Sequence, residues 1–463
     1  PYKFKWIDNL GTQMIEEVEI VVGGQTLNKY SGAYLLAMIQ RDFTTEKKAL
    51  YDNMSGNVAE LNDPGNAGLR VNAYPNAYYT TADNPVGPEP SIRARKLYIP
   101  INFWFTLAAK MAFPLVALQY NELEINITIR PIQELIVIQD VTDQANNFPY
   151  IQPNFNEPLQ QFYRFLQPPP DISLNATSYQ DKRTNWNADV HLISTYGFLT
   201  EEESKVFAAN EQKYLFKSVY DWKYFNVTGS QRIKLENTMG MVSSWMWTFQ
   251  RTDINLRNEW SNYTNWPYNY LPKEVDLAEQ TGQWTVPVPD CSGGTNIGPG
   301  YNPVEDPLFG HSSGLVTTGI FSPENQKEIM LQMGILLDGK YRENVLDSGI
   351  YNYVEKYVRT SGNAPDGLYN YSFAIHNDPF DFQPSGAMNM SKFRDIQLEF
   401  TTYSPPLDRQ AQFMTICDSC GNLIGVNKPT WRIYDYNYNM TVHEERFNVL
   451  TFVGGNCGLM YAR

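Results

Sequence analysis

The most regular alternation of apolar and polar residues in the chain lies between Leu123 and Ile129. Its apolar positions recur at every second residue: Leu123, Ile125, Ile127 and Ile129. A side-chain period of two is typical of a β-strand, so this segment is predicted to be a strand with one face on a core. An apolar and aromatic run at 97–105 precedes it and is also predicted to be a strand, in which Pro100 favours an edge or a bulge.

Strand patterns of the same kind recur along the rest of the chain. Residues 15–27 are typical of a strand, a tight turn at Gly23-Gly24 and a second strand. Further strands are predicted at 134–141, 189–199, 214–225, 231–236, 241–250, 329–337, 368–376, 393–401, 410–417, 431–440 and 447–453. Helices are predicted to be few and short, at 33–39 after a capping Ser31, near 45–54 and near 351–358. The chain is therefore predicted to be all-β.

A capping box divides the chain near its middle. Thr200 is followed three residues later by Glu203, which predicts a helix that ends near Asn210. We therefore expect two domains, at 1–212 and 213–463, since 463 residues exceed one ordinary core. The order of the predicted elements also repeats weakly between the two parts. The pairs of matching segments are 18–24 with 333–339, 97–105 with 368–375, and 121–129 with 395–400. Two copies of one β-sandwich explain this repeat.

Two long segments interrupt the strand pattern and are rich in Asn, Gly and Pro. They lie at 55–95 and 255–315. Loops of this length inside compact domains are usually functional, so we expect them to form binding or outward-facing surfaces.

Five segments resemble the major capsid proteins of nucleocytoplasmic large DNA viruses. The first is FPLVALQYNEL at 113–123, and the others are QPSGAMNMSKF at 383–393, LTEEESKVFA at 199–208, residues 6–25, and residues 436–461. The resemblance implies two consecutive eight-stranded jelly-roll β-sandwiches, a double jelly roll, with long loop insertions and a few short helices. It also implies that the earliest strands of the first roll are absent from this chain.

The resemblance further implies a structural role without catalysis. Three copies would form a homotrimer, a pseudo-hexagonal capsomer, and capsomers would tile the icosahedral shell of the virion. The implied partners are neighbouring capsomers, minor capsid and penton proteins, and glycans on the outer loops. Assembly would take place in the cytoplasm of the host cell.

Composition excludes several other classes of protein. The net charge of −14 and the pI near 4.9 disfavour direct binding to nucleic acid, whose phosphates require a basic surface. Four cysteines do not make a disulfide framework and indicate a reducing compartment. The most apolar window, 103–118, contains Lys110 and Pro114, so no transmembrane segment is predicted.

Motifs that could carry catalysis or bind a metal are incomplete. Residues 310–314 (GHSSG) fit G-x-S-x-G, but the Pro-rich stretch before them does not predict the strand that a nucleophile elbow needs. His443-Glu444-Glu445 begins like a zinc-protease motif, yet its second histidine is missing. The pair Cys417 and Cys420 would need Cys291 and Cys457 to complete a zinc site. We therefore predict no catalytic residue, cofactor or metal, with a zinc-dependent redox or scaffold protein as an alternative that metal content would decide.

A carbohydrate-binding or carbohydrate-cleaving β-sandwich is the alternative function. The aromatic face of Trp245, Trp247 and Phe249 could offer a sugar platform, although aromatic residues with this spacing are usually core. Eight Asn-x-Ser/Thr sequons are present, at Asn53, Asn126, Asn175, Asn226, Asn262, Asn370, Asn389 and Asn439. Asn262 lies in the long second insertion, so it is predicted to be the most accessible glycosylation candidate.

Overall fold

The structure is a computed structural model that describes most of the chain. The described residues are 3–70, 77–81, 84–141, 149–166, 189–236, 238–269, 288–289, 295–296, 316–318, 327–381, 383–404, 414–417, 423–427 and 436–461. We refer to residues 1–212 as the N-terminal half and to residues 213–463 as the C-terminal half.

Short strands and helices make up the N-terminal half. Its strands are β1 (Phe4–Trp6), β2 (Ile15–Val22), β3 (Gln25–Ser31), β4 (Ala77–Thr81), β5 (Asn84–Glu89), β6 (Leu123–Ile129), β7 (Ile136–Gln139) and β8 (Tyr150–Ile151). Its helices are α1 (Leu10–Met14), α2 (Gly32–Asp42), α3 (Thr45–Ser55), α4 (Ala59–Asn62), α5 (Trp104–Leu107) and α6 (Glu201–Ala209). Single 3-10 turns lie at Ala109–Met111, Leu115–Ala117, Ile132–Glu134, Pro158–Gln160 and Phe162–Phe165.

Longer strands dominate the C-terminal half. They are β9 (Gln212–Val227), β10 (Ser230–Lys234), β11 (Met241–Arg251), β12 (Val288–Pro289), β13 (Thr295–Asn296), β14 (Val316–Thr318), β15 (Met330–Leu337), β16 (Lys340–Asp347), β17 (Leu368–Ser372), β18 (Met388–Asn389), β19 (Ile396–Thr402), β20 (Met414–Cys417), β21 (Leu423–Asn427), β22 (Tyr438–Val453) and β23 (Asn456–Leu459). Helical turns lie at Ile254–Leu256, Met390–Lys392 and Ile350–Val354, the last a π-turn that continues into α7 (Glu355–Arg359).

Two sheets of the C-terminal half enclose a core of their own. One sheet contains β17, β11, β22 and β23, with β18 paired to β11 and β9 paired to β22; the other has the order β10-β19-β15-β16. Trp245, Trp247 and Phe249 are fully buried in the core that this half encloses. The prediction that this aromatic face is core is confirmed, and none of these rings is available to a sugar.

The N-terminal half has two smaller sheets, with the orders β3-β2-β6 and β1-β7-β8. The strand predicted at Leu123–Ile129 forms, and it pairs with β2 so that Ile125 lies opposite Ile20. Its apolar face is less buried than predicted, because Leu123 and Ile125 are only partly buried and Ile127 is exposed. The hydrophobic core around β2 also includes Phe216, Leu450 and Phe452 of the C-terminal half. Part of the N-terminal core is therefore shared with the C-terminal half.

The internal repeat is confirmed at the level of sheet order for two of its three predicted pairs, 18–24 with 333–339 and 121–129 with 395–400. The pair 97–105 with 368–375 is not confirmed, because residues 97–103 form no strand whereas residues 368–372 form β17. The order β3-β2-β6 of the N-terminal half matches β16-β15-β19 of the C-terminal half, and every pair is antiparallel. Both hairpins turn through two left-handed residues, Gly23-Gly24 and Asp338-Gly339, as tight hairpins of matching twist require. A helical segment follows each hairpin, α2 in one half and residues 350–359 in the other.

Two strand predictions for the N-terminal half are wrong within the described residues. Residues 97–103 form no strand and are followed by α5, because Asn102 adopts a left-handed φ of 56° that interrupts an extended run. Residues 189–199, which we call the linking segment, also form no strand. All residues of the linking segment are exposed, and no backbone hydrogen bond joins it to another described residue.

Candidate functional site at the interface between the halves

Helix α2 lies between the two halves and carries a buried set of polar contacts between them. The hydroxyl of Ser31 accepts a hydrogen bond from the backbone N–H of Tyr34 at 3.2 Å, which confirms Ser31 as the predicted cap. All residues of α2 except Ala33 are buried. A helix buried on nearly every side requires partners for its polar side chains.

Arg41, near the end of α2, is the centre of a buried polar network. Its guanidinium donates to both carboxylate oxygens of Asp42, at 2.7 Å each, and to Oε1 of Glu445 on β22 at 2.9 Å. Its other nitrogen donates to the Ser244 hydroxyl at 3.2 Å and to Oδ1 of Asn370 at 3.4 Å. One arginine therefore joins an N-terminal helix to three strands of the C-terminal sheet.

Glu445 receives further donors from both halves. The Tyr34 hydroxyl donates to its Oε1 at 2.8 Å, the Ser244 hydroxyl donates to its Oε2 at 2.6 Å, and the ammonium of Lys217 lies 3.8 Å away. Burial by itself would raise the pKa of Glu445, but the charges of Arg41 and Lys217 and these hydrogen bonds lower it to about 2. Glu445 is therefore ionised throughout the physiological range.

Two carboxylates share the charge of Arg41. Burial raises the pKa of Asp42 above its ordinary value, and Arg41 opposes that rise. Buried ion pairs gain little net stability, but loss of one partner leaves an uncompensated charge at a cost of about 3–5 kcal/mol. The network therefore penalises any arrangement of the two halves in which Arg41 and Glu445 are apart.

A hydrogen-bonded pair of His443 and Asp221 extends the same interface. Nδ1 of His443 lies 2.6 Å from Oδ1 of Asp221, and the Ser31 hydroxyl donates to the other oxygen of Asp221 at 3.0 Å. Burial would raise the pKa of Asp221, yet His443 and Ser31 lower it below its ordinary value. The residue that caps α2 thus also binds strand β9.

A second contact between the halves is formed by residues 254–269, which pack on the sheet of β1, β7 and β8. Asn258, which has a left-handed φ of 53°, donates from one amide nitrogen to the carbonyls of Gln133 and Ile136, at 2.8 Å each. The indole N–H of Trp260 donates to the carbonyl of Glu134 at 2.8 Å. These bonds satisfy backbone groups of the N-terminal half that would otherwise be buried without partners.

Glu259 lies in this second contact, and its pKa is raised there. Burial, followed by repulsion from Asp8 of the N-terminal half, raises the pKa of Glu259 from 4.5 to about 7. Its Oε2 accepts a hydrogen bond from the backbone N–H of Asn269 at 3.2 Å. The protonation state of Glu259 therefore changes near neutral pH.

Aromatic residues and a small cavity complete the interface. Trp104 stacks on Phe216 of β9 with 4.4 Å between ring centroids. Beside them, both halves line a cavity of about 70 Å³ whose walls include Tyr30, Asn102 and Lys217. This volume is less than half of an engineered cavity that accepts benzene, about 150 Å³, so the enclosed space does not suit a sugar ring.

The structure corrects the accessibility expected for Asn262. Its side chain is 1% exposed. Oδ1 accepts hydrogen bonds from the backbone and the hydroxyl of Thr264, and Nδ2 donates to the carbonyl of Trp266. The prediction that Asn262 is the most accessible sequon is wrong, because its amide stabilises the local turn. Glycosylation at this position stays a prediction.

The metal and nucleophile motifs are only partly described. Residues 310–314, Cys291 and Cys420 lie outside the described residues, and Cys417 is described only as a backbone position in β20. Cys457 is a free thiol whose pKa burial raises to about 12. Among the described residues, no group of three or more His, Cys, Asp or Glu side chains is arranged to hold a metal ion.

Sequence reasoning missed the residues that form the interface network. Arg41 and Asp42 end a helix that is otherwise largely apolar, and Glu444-Glu445-Arg446 interrupts the apolar pattern of β22. A run of charged residues inside a buried strand is the available signal, because such residues are rarely buried unless paired. The side chains of His443, Glu444 and Glu445, which in sequence resemble an incomplete zinc motif, are all buried at this interface.

Comparisons with known proteins agree with this architecture. Residues 1–167 match the family "Major capsid protein N-terminus", and residues 203–458 match "Large eukaryotic DNA virus major capsid protein". The chain is 24% identical to the major capsid protein of Phaeocystis pouchetii virus, over 99% of this chain and 82% of the relative. It is 23% identical to that of Paramecium bursaria Chlorella virus 1, over 97% of this chain and 79% of the relative.

Two solved structures share the fold. The quasi-atomic PBCV-1 virus capsid superposes with a TM-score of 0.56 at 18% identity, covering 100% of this chain and 88% of the other. The Faustovirus major capsid protein gives a TM-score of 0.53 at 12% identity, covering 98% and 74%.

The sheets, the repeat and these matches define the class as a double-jelly-roll capsid protein, which confirms the predicted fold. The chain belongs to the family of major capsid proteins of large eukaryotic DNA viruses, and it is a structural protein of the virion shell. None of the described helices is long and apolar enough to cross a membrane.

Proposed function

We propose that this capsid protein assembles as a homotrimer that forms a pseudo-hexagonal capsomer of the icosahedral shell. The observation that carries this proposal is the repeat of sheet order between the halves, β3-β2-β6 and β16-β15-β19. Two similar units in each chain give three copies six near-equivalent corners, which is the symmetry that a hexagonal tile needs.

We propose that residues 1–212 and 213–463 are the two jelly rolls. The separate family matches at 1–167 and 203–458 support a division between them. Helix α6 supports the same division, because it is capped by Thr200 and Glu203 and none of its residues is buried.

The remaining partners follow from a role in the shell. We propose lateral contacts with neighbouring capsomers, contacts with minor capsid and penton proteins, glycans on outer loops, assembly in the host cytoplasm, and no catalysis. The net charge of −14 supports a shell that does not bind the genome directly.

Light scattering behind a sizing column tests the trimer. The expected particle has three times the 53.2 kDa mass of one chain, and it neither binds nor hydrolyses a panel of oligosaccharides. A monomer at all concentrations that binds oligosaccharides would contradict the trimer and favour the carbohydrate-binding alternative.

A further inference from the structure

Two Gly-Gly turns, one from each half of the chain, meet at Asn121. Gly23-Gly24 joins β2 to β3, and Gly454-Gly455 joins β22 to β23; all four glycines have left-handed φ values. Oδ1 of Asn121 lies 2.5 Å from the position that a Cβ on Gly23 would occupy, and Nδ2 of Asn121 donates to Oδ1 of Asn456 at 3.0 Å. Asn121 therefore bridges the tips of two hairpins that come from different halves.

The turn at Gly454-Gly455 also holds the two residues before Asn121. The backbone N–H groups of Gln119 and Tyr120 both donate to the carbonyl of Gly455, at 3.0 and 3.3 Å. A Cβ on Gly455 would lie 2.9 Å from Cβ of Gln119 and from the ring of Tyr120, whereas a Cβ on Gly454 would meet no atom within 4 Å. The contact therefore requires glycine at 455 for space as well as for its φ of 81°, and at 454 only for the φ of 59°.

This contact joins two of the segments that resemble the capsid family, 113–123 and 436–461. Phe113 of the first segment packs edge-on against Phe452 of the second, with 5.1 Å between ring centroids. Phe452 is buried and anchors the base of hairpin β22–β23, whereas residues 453–454 at the tip are exposed. The hairpin therefore has a fixed base and an exposed tip.

The tip of the hairpin is held by fewer contacts than the rest of the interface between the halves. Among the described strands β23 pairs only with β22, through four residue pairs. Three hydrogen bonds join the tip to residues 119–121, and they lie at or near the surface. The Arg41 network and the contact of residues 254–269 use no residue of 119–121 or 453–459. Segments with exposed hydrogen bonds and few buried contacts open locally while the remainder of the protein stays folded.

We propose that the tip of hairpin β22–β23 is a clasp that opens from residues 119–121 and closes on them while the two halves stay docked. Closure holds residues 119–121, which lead into β6, against the turn between β2 and β3. Opening frees the surface segment 113–121, including the exposed Leu115 and Val116, without separating the two cores. The clasp is a property of one chain and does not depend on the proposed trimer.

Hydrogen exchange of the wild-type protein in increasing urea tests the clasp. The amides of Gln119 and Tyr120 should exchange through local opening, so their rates should depend on urea much less steeply than those of β11, because the slope grows with the surface exposed on opening. Helix α2, which is buried between the halves, should not exchange together with the clasp. If Gln119 and Tyr120 showed the same urea dependence as β11, they would be released only by global unfolding, and the clasp would be refuted.

Two glycine substitutions provide a matched pair of variants. Gly455→Ala and Gly454→Ala place the same residue at a left-handed position, but only the first inserts a methyl group against Gln119 and Tyr120. Because the backbone strain is common to both, we expect Gly455→Ala to raise exchange at Gln119 and Tyr120 about tenfold more than Gly454→Ala does. Exchange in β11 should be unchanged in both variants, which shows that the halves stay folded.

Cys457, on β23, gives an independent chemical measurement. Its thiol is half-buried against the core around β2, and this burial raises its pKa to about 12. Release of the tip lowers that pKa towards its ordinary value of 9.0, and a thiolate is the reactive form. Alkylation of Cys457 at pH 8, followed by peptide mass spectrometry, should therefore be faster in Gly455→Ala than in Gly454→Ala. Equal alkylation and equal exchange in the two variants would overturn the clasp.

Discussion

The two halves have the same order of strands but do not bury their residues in the same way. The C-terminal half encloses a core whose buried members all come from residues 227–442. The N-terminal half shares the core around β2 with β9 and β22, and its helix α2 is buried against the other half. Two units with the same strand order therefore need not be equally able to fold alone, because the C-terminal half supplies part of the hydrophobic core of the N-terminal half.

Replacement of Trp247 should have the largest effect. Trp247→Ala removes a fully buried indole between the two C-terminal sheets and should lower the free energy of unfolding by about 3–5 kcal/mol. Because the N-terminal core depends on β9 and β22, both halves should unfold earlier in urea. If hydrogen exchange showed the N-terminal half unaffected, the dependence inferred here would be wrong.

Replacement of Arg41 should separate the halves. Arg41→Met leaves Asp42 and Glu445 buried without their common partner, and we expect a loss of about 3 kcal/mol. Amide exchange should increase in α2 and β2 much more than in β11 and β15. The control is Arg232→Met, which removes an exposed ion pair with Glu399 and should destabilise the protein far less than Arg41→Met does.

The titration of Glu259 should make the contact between the two halves dependent on pH. The folded-state pKa of about 7 exceeds the ordinary value of 4.5, so the stability from the protonated group is complete below 4.5 and is lost as the pH rises through 7. Urea unfolding between pH 5 and 8 should show a loss of about 2–3 kcal/mol in the wild type. Glu259→Gln should remove most of this dependence, and equal slopes in both proteins would argue against it.

Loss of the α6 cap should have the smallest effect. Thr200→Ala removes a capping hydroxyl from an exposed helix, and we expect a local cost of about 0.5–1 kcal/mol that is confined to faster exchange in α6. Ser31→Ala is the matched comparison, because it removes both the cap of α2 and the bond to Asp221. A larger global loss for Thr200→Ala than for Ser31→Ala would contradict the asymmetry between the two helices.

Local sequence patterns predicted the structure well where the conformation of a segment depends mainly on its own residues. The strand at Leu123–Ile129, the cap at Ser31 and the turn at Gly23-Gly24 all form as predicted, although the apolar face of that strand is only partly buried. The strand predicted at 97–105 does not form, because Asn102 adopts a left-handed conformation and the ring of Trp104 stacks on Phe216 of the other half. Packing between distant segments overrides local propensity there.

Local sequence patterns could not predict the buried network of Arg41 and Glu445. Arg41 and Glu445 are 404 residues apart, and neither is preceded by a motif that identifies the other. The accessibility of Asn262 was predicted wrongly for a related reason. A sequon specifies the residues needed for modification, but the hydrogen bonds of Asn262 with Thr264 and Trp266 keep its side chain buried.

The separation between Arg41 and Glu445 has a consequence for synthesis on the ribosome. At about 5–20 residues per second, the partner of Arg41 is translated roughly 20–80 seconds after it. During that interval α2 and the core around β2 lack the strands that cover them, so the nascent N-terminal half exposes apolar surface. Chaperone binding to ribosome-bound chains should therefore persist until β22 has left the exit tunnel.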